Sequence, residues 1–326
     1  MINNMPMLSI CIPTYNRAHT LNKLLESIEN EVRKYSIKYM EIIISDNAST
    51  DNTVEIVNNY INKGLPIKYF QMEENKGFGI NINNAVSIAT GKYCWLMGSD
   101  DLVLPGAVDK LHSQINSHVD IIIGDSNTND CHRKFLSMEN GEYPISNINT
   151  LCDFIDNCTE ISSFFAFISV LIIKKSFWDD ISLNATVIEH PYTHQLRISE
   201  LIMKSTRGIT LKYLSEPIVS TGREVNEWNE NIYKHLALDC ATLRYINDIV
   251  YQSDIRVNTA LSALVKRQYG WFEILIARAF STNAEWSNTV QDLAYFHIKP
   301  SLLNRRKLDS CVKFSYVTAK RIRNIF

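Results

Sequence analysis

The sequence has no apolar run long enough to cross a membrane. The longest one, Phe164–Ile173, is interrupted by Ser169 and falls well short of the roughly 20 residues that a spanning helix needs. Residues Met1–Met7 lack the basic start and the long apolar stretch of a secretory signal peptide. These absences disfavour membrane-spanning and exported proteins, and we expect a cytoplasmic chain.

Signatures of several other protein classes are also missing. The seven cysteines are scattered, and Cys152 and Cys158 have no second pair at zinc-site spacing, so reduced thiols are expected. No G-x-G-x-x-G follows the first apolar segment, which excludes a dinucleotide-binding dehydrogenase. The region near the N-terminus has no glycine-rich phosphate loop with a following Arg and Lys, which disfavours a nucleotidyltransferase.

Basic residues are concentrated at one end of the chain. Of 33 basic and 35 acidic residues, eight basic and one acidic fall within 299–326, so the rest is acidic on balance. Apolar residues recur there every three or four positions at Leu308, Val312, Tyr316, Ala319, Ile322 and Phe326. This pattern predicts a helix over 303–326 that either binds an anionic membrane surface or packs on the acidic body. No nucleic-acid partner is expected.

Short apolar segments alternate with amphipathic ones over the first 125 residues. The segments predicted as strands are Leu8–Ile12, Ile42–Ile44, Ile67–Phe70, Tyr93–Met97 and Val119–Ile123. Apolar residues between them have helical spacing, and Ser49 or Thr50 is predicted to cap the second helix. Repeated β-α-β units build a mostly parallel, Rossmann-like α/β sheet flanked by helices.

The pattern is looser after residue 125. Residues 125–160 are polar and predict loops or short helices that cover the site. A strand is predicted at Ile168–Ile173, a helix at Tyr192–Lys204 and a strand at Ile209–Leu214. From about Glu227 onwards the spacing is helical, which predicts a helical C-terminal region.

Three polar clusters directly follow predicted strands, where parallel sheets bind their ligands. They are Thr14–Arg17, Ser45–Asp51 and Ser99–Asp101. The adjacent carboxylates of Asp100 and Asp101 suit Mg²⁺ or Mn²⁺, which takes one or two carboxylates together with phosphate oxygens. A bare Asp pair is more often a solvated turn, so the neighbouring motifs have to show whether this pair binds a metal ion.

Two further residues at these strand ends have the chemistry to contact a nucleobase. The Asp46 carboxylate could accept a hydrogen bond from a base, and the alternative is that Asp46 and Asn47 only make a turn. The Tyr15 ring could stack on the same base, and the alternative is ordinary packing at the rim. The clusters therefore predict a nucleotide site with a divalent cation beside it.

The motifs resemble those of family 2 glycosyltransferases with the GT-A fold, in order and in spacing, over about the first 120 residues. They read CIPTYNR from Cys11, SDNASTD from Ser45, NKG from Asn75 and GSDD from Gly98. The second motif, together with the YCW run at Tyr93, is similar to abequosyltransferase-like O-antigen enzymes. Such enzymes use a CDP-linked 3,6-dideoxyhexose.

The resemblance implies roles for individual residues. Asp101 matches the last acid of a D-x-D-like motif and is expected to hold Mn²⁺ or Mg²⁺. Ile82 stands where many relatives have arginine, so Asn81 or Asn83 could take over part of its contact with the diphosphate. The residues assigned to the donor site are Pro13, Thr14, Tyr15, Arg17, Asp46, Asn47, Asn75, Gly77, Asn81, Ser99 and Asp100.

The catalytic base has only an irregular match. Family 2 enzymes usually place it in a Glu-Asp pair at the start of an acceptor-side helix, and the nearest match here is Glu189-His190. Both side chains can accept a proton near neutral pH, so both are candidate bases. The alternative is that Glu189 only precedes the helix and His190 packs against the core.

These implications predict three parts: a nucleotide-sugar-binding GT-A half over 1–125, an acceptor-binding half over 126–225, and a helical region over 226–326. The expected reaction moves a sugar from a CDP- or UDP-sugar to a polyprenyl-diphosphate-linked saccharide in O-antigen or lipopolysaccharide synthesis. The enzyme is expected to lie peripherally at the inner face of the cell membrane. The alternatives are a non-catalytic nucleotide-sugar- or lipid-binding protein and a nucleotidyltransferase.

Overall fold

The structure is a computed structural model that describes residues 6–32, 40–115, 118–129, 131–221 and 232–298. These residues fall into two compact units, the first within 1–150 and 162–223 and the second within 151–161 and 224–326. The predicted amphipathic segment 303–326 lies outside the described residues. Within the described ranges, no helix has both the length and the hydrophobicity needed to cross a membrane.

The first unit is built around a ten-stranded mixed sheet. The order across it is β3-β2-β1-β4-β9-β6-β10-β5, with β7 paired to β6 and β8 to β10. Its strands are β1 (Leu8–Thr14), β2 (Met40–Asp46), β3 (Ile67–Gln71), β4 (Tyr93–Leu96), β5 (Leu102–Val103), β6 (Ile121–Thr128), β7 (Cys131–Arg133), β8 (Gly141–Ile145), β9 (Leu171–Lys174) and β10 (Ile209–Ser220).

Helices accompany these strands through the first unit. Between β1 and β6 they are α1 (Ala18–Val32), α2 (Thr53–Asn62), α3 (Phe78–Ile88) and α4 (Ala107–Gln114). The later helices are α6 (Lys175–Asp179), α7 (Ala185–Glu189) and α8 (Thr193–Lys204), while α5 (Ile148–Asn157) begins in this unit and lies mostly in the second. Nearly all of α8 is buried up to Ile202, so this helix is part of the core.

The parallel half of the sheet follows the predicted β-α-β pattern. Every residue of β1 and β2 is buried, as expected for strands covered on both faces. β1 pairs in parallel with β2 and with β4, and the register places Thr14 opposite Asp46. Because β1 and β2 end level with each other, the polar clusters that follow them start at the same edge.

The structure corrects three local predictions. The apolar run from Ile168 begins with a 3₁₀ turn and becomes a strand only at Leu171. That strand, β9, runs antiparallel between β4 and β6. Residues 125–160 contain the end of β6 together with β7 and β8, because backbone pairing overrides their polar composition. Helix α2 begins after Asn52 without a side-chain cap, and Ser49 bonds to Asn16 instead.

The second unit is helical, as the sequence predicts. Its helices are α9 (Ile232–Tyr245), α10 (Ile255–Gln268), α11 (Trp271–Phe280) and α12 (Asn283–Tyr295). A π-helical segment, Ile246–Val250, follows α9. Helix α9 packs against both α11 and α12. Apolar residues at helical spacing in this region are buried, including Leu236, Leu243, Leu261 and Leu264.

Candidate functional site

Side-chain hydrogen bonds join the first two polar clusters. The Asn16 amide donates to Ser49 Oγ (2.8 Å), and Asn16 Oδ1 accepts from the Thr50 amide (2.7 Å). Asn16 has φ of 50° and Ala48 has φ of 64°, a left-handed conformation that costs L-residues energy. The strained turns after β1 and β2 are therefore stabilised by bonds to each other.

Asp46, at the end of β2, is fully buried and held from both sides. Its Oδ1 accepts from the Ser49 amide (2.9 Å), and its Oδ2 accepts from the Tyr69 hydroxyl (2.6 Å). Burial and the bond to Asp46 both raise the pKa of the Tyr69 phenol, so Tyr69 stays protonated and keeps donating. Each carboxylate oxygen has a second lone pair for a ligand. Sequence reasoning missed Tyr69.

A loop after β3 closes over the end of β2. Asn47 Nδ2 donates to Asn75 Oδ1 (2.8 Å), and Asn47 Oδ1 accepts from the Lys76 amide (2.8 Å). Gly77 follows with φ of 85°, which an L side chain rarely adopts. Asn47, Asn75 and Gly77, assigned separately to the donor site, thus form one connected turn.

The two carboxylates after β4 converge on one point. A Cβ atom built on Gly98 would lie 3.0 Å from Asp101 Oδ2 and 3.1 Å from Asp100 Oδ1. Asp101 is buried, and its Oδ2 accepts from Ser169 Oγ (2.5 Å). Ser169 Oγ in turn accepts from the Gly98 amide (2.9 Å), so this serine orients the loop and one of its carboxylates.

The carboxylate oxygens of Asp100 and Asp101 suit a hard divalent cation. Two carboxylates of one loop face the same space, and Mg²⁺ or Mn²⁺ is commonly held by one or two carboxylates with substrate phosphates completing the shell. Within the described ranges, no group of three or more His, Cys, Asp or Glu side chains could hold a metal ion. A cation here would therefore need oxygens from a bound ligand.

Arg17 reaches the same carboxylates from the turn after β1. Its Nη1 lies 2.6 Å from Asp100 Oδ2, and 44% of its side chain is exposed. Tyr15 beside it is also exposed. The edge thus combines acidic groups, one guanidinium and one open aromatic ring.

Asparagines of α3 tie this helix to three neighbours. Asn81 Nδ2 donates to the Thr14 carbonyl (3.1 Å), Asn84 Nδ2 to Ser45 Oγ (2.8 Å) and Asn83 Nδ2 to Thr193 Oγ1 (3.1 Å). Ile82 is fully buried, so it packs in the core. Asn81 therefore faces the donor edge, whereas Asn83 faces α8.

Two of these buried side chains have an oxygen without a protein partner. Thr14 Oγ1 and Asn81 Oδ1 are both buried and make no hydrogen bond, although buried polar atoms are nearly always paired. The two residues are linked by the bond from Asn81 to the Thr14 carbonyl. Unpaired acceptors beside the strand ends are expected where a ligand supplies the missing donors.

Arg197 of α8 is a buried cation that the sequence did not single out for a role. Its Nη1 donates to the carbonyls of Trp178 (2.8 Å) and Ile181 (2.9 Å), and its Nη2 donates to Asn83 Oδ1 (3.2 Å). Burial lowers its pKa to about 10, which leaves it charged at neutral pH. Arg197 thus links α3 and α8 to the end of α6 and the residues that follow it.

The Glu189-His190 pair lies at the end of α7, against the first turn of α3. A Cβ atom at Gly79 would lie 2.3 Å from the Ile188 carbonyl oxygen and 2.6 Å from that of His190. Only glycine allows this approach, which brings the candidate bases next to the first turn of α3. Glu189 is exposed and His190 is half-buried.

The two candidate bases differ in their hydrogen bonds. His190 Nδ1 accepts from the Tyr192 amide (3.0 Å), so the ring proton lies on Nε2. Burial lowers the pKa of His190, and the ring is neutral near pH 7. His190 thus presents its Nε2 proton as a hydrogen-bond donor, whereas the ionised carboxylate of the exposed Glu189 can only accept.

His194, one turn further on, is a buried neutral histidine. Its Nε2 donates to the Ala166 carbonyl (3.0 Å), and burial lowers its pKa to about 4. Its ring meets Phe78 and Tyr192 edge to face at 6.2 and 6.0 Å. His194 is therefore packed between two aromatic rings.

The sequence-predicted donor residues thus gather at one edge. The structure adds Ser169, Tyr69 and Arg197. Ser169 had a sequence signal, because its hydroxyl interrupts an apolar run. In the structure its carbonyl also accepts from Trp95 Nε1 (2.8 Å). Tyr69 and Arg197 had no sequence signal, because their hydrogen-bond partners lie far away in the chain.

Comparison with known proteins gives consistent results. The model of Glycosyl transferase family 2 matches residues 9–177. The abequosyltransferase RfbV of Salmonella typhimurium is 31% identical over 333 residues, covering 98% of this chain and 96% of that protein. The GalNAc(5)-diNAcBac-PP-undecaprenol beta-1,3-glucosyltransferase of Campylobacter jejuni is 37% identical over 113 residues, covering 34% of this chain and 35% of that protein.

Solved structures agree on the fold. TarS of S. aureus superposes with a TM-score of 0.62 at 18% identity, covering 95% of this chain and 87% of the solved one. The mannosyltransferase PcManGT of Pyrobaculum calidifontis, in complex with GDP-Man and Mn²⁺, gives 0.53 at 15% identity, covering 99% and 88%. The chain therefore belongs to Glycosyl transferase family 2 and is a glycosyltransferase with the GT-A fold.

Proposed function

We propose that this enzyme moves a sugar from a CDP- or UDP-sugar to a lipid-linked saccharide during synthesis of an O-antigen or a similar surface polysaccharide. The observation that carries the donor half of this proposal is the convergence of Asp100 and Asp101 over Gly98. The acceptor half is supported by the near full-length likeness to an abequosyltransferase and the partial likeness to a transferase whose name includes a PP-undecaprenol-linked saccharide.

The donor nucleotide lies across the ends of β1 and β2 in this proposal. Tyr15 stacks on the base, and Asp46 accepts from it with a remaining lone pair. Thr14 Oγ1 and Asn81 Oδ1, which have no protein partner, accept from donor hydroxyl groups. The turn of Asn47, Asn75 and Gly77 closes this side.

The diphosphate lies between Arg17 and the carboxylates after β4. Asp101, oriented by Ser169, and Asp100 would hold Mn²⁺ or Mg²⁺, with Ser99 next to them. When bound, such a cation offsets the negative charge that accumulates on the departing diphosphate. Arg17, which pairs with Asp100, contacts the phosphates in this proposal.

The sugar transfer is a displacement at the anomeric carbon. The acceptor oxygen forms the new bond, the bond from that carbon to the diphosphate breaks, and Glu189 takes the acceptor hydroxyl proton. His190 donates from Nε2 and positions a reacting group. Proton removal by a placed base contributes typically 10²- to 10⁴-fold to the rate.

The decisive experiment is thermal stability with CDP, UDP or GDP, with and without Mn²⁺. A ligand present at about 100 times its dissociation constant adds about 2.7 kcal/mol to stability. We expect one nucleotide to stabilise the wild type only with metal, and Asp101→Asn to abolish that gain. Asp109→Asn, an exposed acid on α4, is the matched control and should behave as the wild type.

The same proteins separate the candidate functions. Metal-dependent release of nucleoside diphosphate from a nucleotide sugar supports the transferase, and it should fall strongly in Glu189→Gln and less in His190→Gln. Donor binding without any turnover would favour the non-catalytic alternative. Release of pyrophosphate would indicate a nucleotidyltransferase, and no stabilisation by any nucleotide would contradict the proposal.

A further inference from the structure

The corner between α10 and α11 exposes two adjacent aromatic side chains. Trp271 is 74% exposed and Phe272 is 49% exposed, and their rings meet edge to face at 5.9 Å. No other large apolar side chain in the part of the chain that the structure describes is as exposed as Trp271. Adjacent exposed aromatic rings of this size usually mark an interaction surface.

The corner is held in place from inside the second unit. Tyr269 is buried, and its hydroxyl donates to Asp239 Oδ2 of α9 (2.7 Å). Its amide donates to the Val265 carbonyl at the end of α10 (2.9 Å). Because Ile274 and Ile276 of α11 are buried, the core anchors one part of this helix while its first two residues point outward.

Basic side chains precede the aromatic pair. Lys266 and Arg267 lie in the last turn of α10, and both are exposed. Arg267 also donates to the Cys158 carbonyl. The acid nearest in sequence is Glu273. Its carboxylate is turned back over Gly270, since a Cβ atom built on Gly270 would lie 2.8 Å from Glu273 Oε2. The carboxylate therefore lies at the positive end of α11.

We propose that this corner, Lys266–Phe272, is a membrane-contact surface for an anionic bilayer. Trp and Phe side chains enter the interface between headgroups and acyl chains, and basic side chains beside them are attracted to anionic headgroups. The surface belongs to the second unit, and its existence does not depend on the proposed reaction. It is distinct in sequence from the basic segment 303–326.

Charge argues against the other possible occupants. The segment 299–326 of the same chain is strongly basic, so Lys266 and Arg267 would repel it. A second copy docking through a two-fold axis would bring the same patch, with its basic residues, against itself. An anionic bilayer complements both the charge and the aromatic rings.

The test is co-sedimentation of the full chain with vesicles of phosphatidylcholine, alone or mixed with phosphatidylglycerol. Trp271→Ser/Phe272→Ser should lower partitioning onto the mixed vesicles by about tenfold or more. Lys266→Gln should lower it about fivefold on the mixed vesicles and leave it unchanged on neutral ones. All substituted residues are exposed, so melting temperatures should match the wild type.

The matched control is Ile249→Ser/Ile255→Ser, which removes two apolar side chains that are 61% and 70% exposed. Ile255 begins α10, about 18 Å along the helix axis from Arg267. This control should partition as the wild type. An equal loss in the control, or wild-type partitioning of the aromatic variant, would overturn the proposal.

Two further outcomes would also overturn it. If only Arg321→Gln/Arg323→Gln reduces binding, the terminal segment is the membrane contact. If the aromatic variant turns a dimer into a monomer without changing vesicle binding, a second copy covers the corner. Stabilisation by nucleotides is measured without vesicles. A negative result in the vesicle-binding test is therefore distinguishable from a failure of the proposed function.

Discussion

At the scale of single residues, environment decides what each titratable group does. His190 and His194 lie four positions apart, and burial lowers the pKa of both. His190 is half-buried and borders the donor-side helix, whereas His194 is enclosed by rings and a carbonyl. Burial therefore lowers the pKa of both rings, although only His194 is fully enclosed by the protein.

The buried His194 predicts a defined dependence of stability on pH. The unfolded chain protonates this histidine below about pH 6.5, but the folded protein does so only near pH 4. Its contribution is therefore complete above about pH 6.5 and is lost as the pH falls, by about 2 kcal/mol between about pH 7 and about pH 5. Urea unfolding should show this loss in the wild type and a smaller loss in His194→Gln. If the wild type and His194→Gln lost the same free energy of unfolding as the pH falls, this role of His194 would be contradicted.

At the scale of elements, the antiparallel strand β9 supports the carboxylates of the parallel half. It lies beside β4, and the turn before it supplies Ser169, whose hydroxyl bonds to both Asp101 and the Gly98 amide. Groups that orient metal ligands typically change metal affinity 10- to 100-fold when removed. The turn is thus a structural part of the candidate cation site.

Ser169→Ala should therefore weaken binding of Mn²⁺ in the presence of nucleotide about tenfold or more. The measurement is a Mn²⁺ titration followed by electron paramagnetic resonance, which does not require turnover. Ser126→Ala is the matched control, because Ser126 is a buried serine on β6 whose hydroxyl has no partner. Equal affinities in the two variants would show that Ser169 only fills space.

At the scale of the whole molecule, the residues assigned to donor, metal and base all belong to the first unit. The second unit consists of packed helices and carries the exposed aromatic corner. The likeness to the abequosyltransferase RfbV extends over both units, whereas the match to the family model ends at residue 177. Sugar-transfer chemistry and membrane contact are thus assigned to different parts of the chain.

This assignment predicts a local pattern of amide hydrogen exchange. Nucleotide with Mn²⁺ should slow exchange at the turns after β1, β2 and β4 and at the start of α3, because a bound ligand closes these turns. Exchange in α9–α12 should stay unchanged. Asp101→Asn is the control that should remove the protection, and comparable slowing across α9–α12 would argue against a site confined to the first unit.

The sequence by itself determined the parallel β-α-β pattern of the first half of the sheet and the common edge of its polar clusters. Both follow from short-range patterns, since apolar runs set the strands and β-α-β connections set their direction. It also indicated the helical second unit. The limits of β6 and β9 were less predictable, because pairing with distant strands extends or shortens them.

Only the tertiary structure decided which side chains support the site. The Ser169–Asp101 bond spans 68 positions and the Arg197–Asn83 bond spans 114, and no local pattern encodes such pairs. The same holds for the close approach of Gly79 to the 188–190 backbone. Sequence patterns specify what each segment can form, but hydrogen bonds between distant segments form only when the packed sheet brings them within about 3 Å.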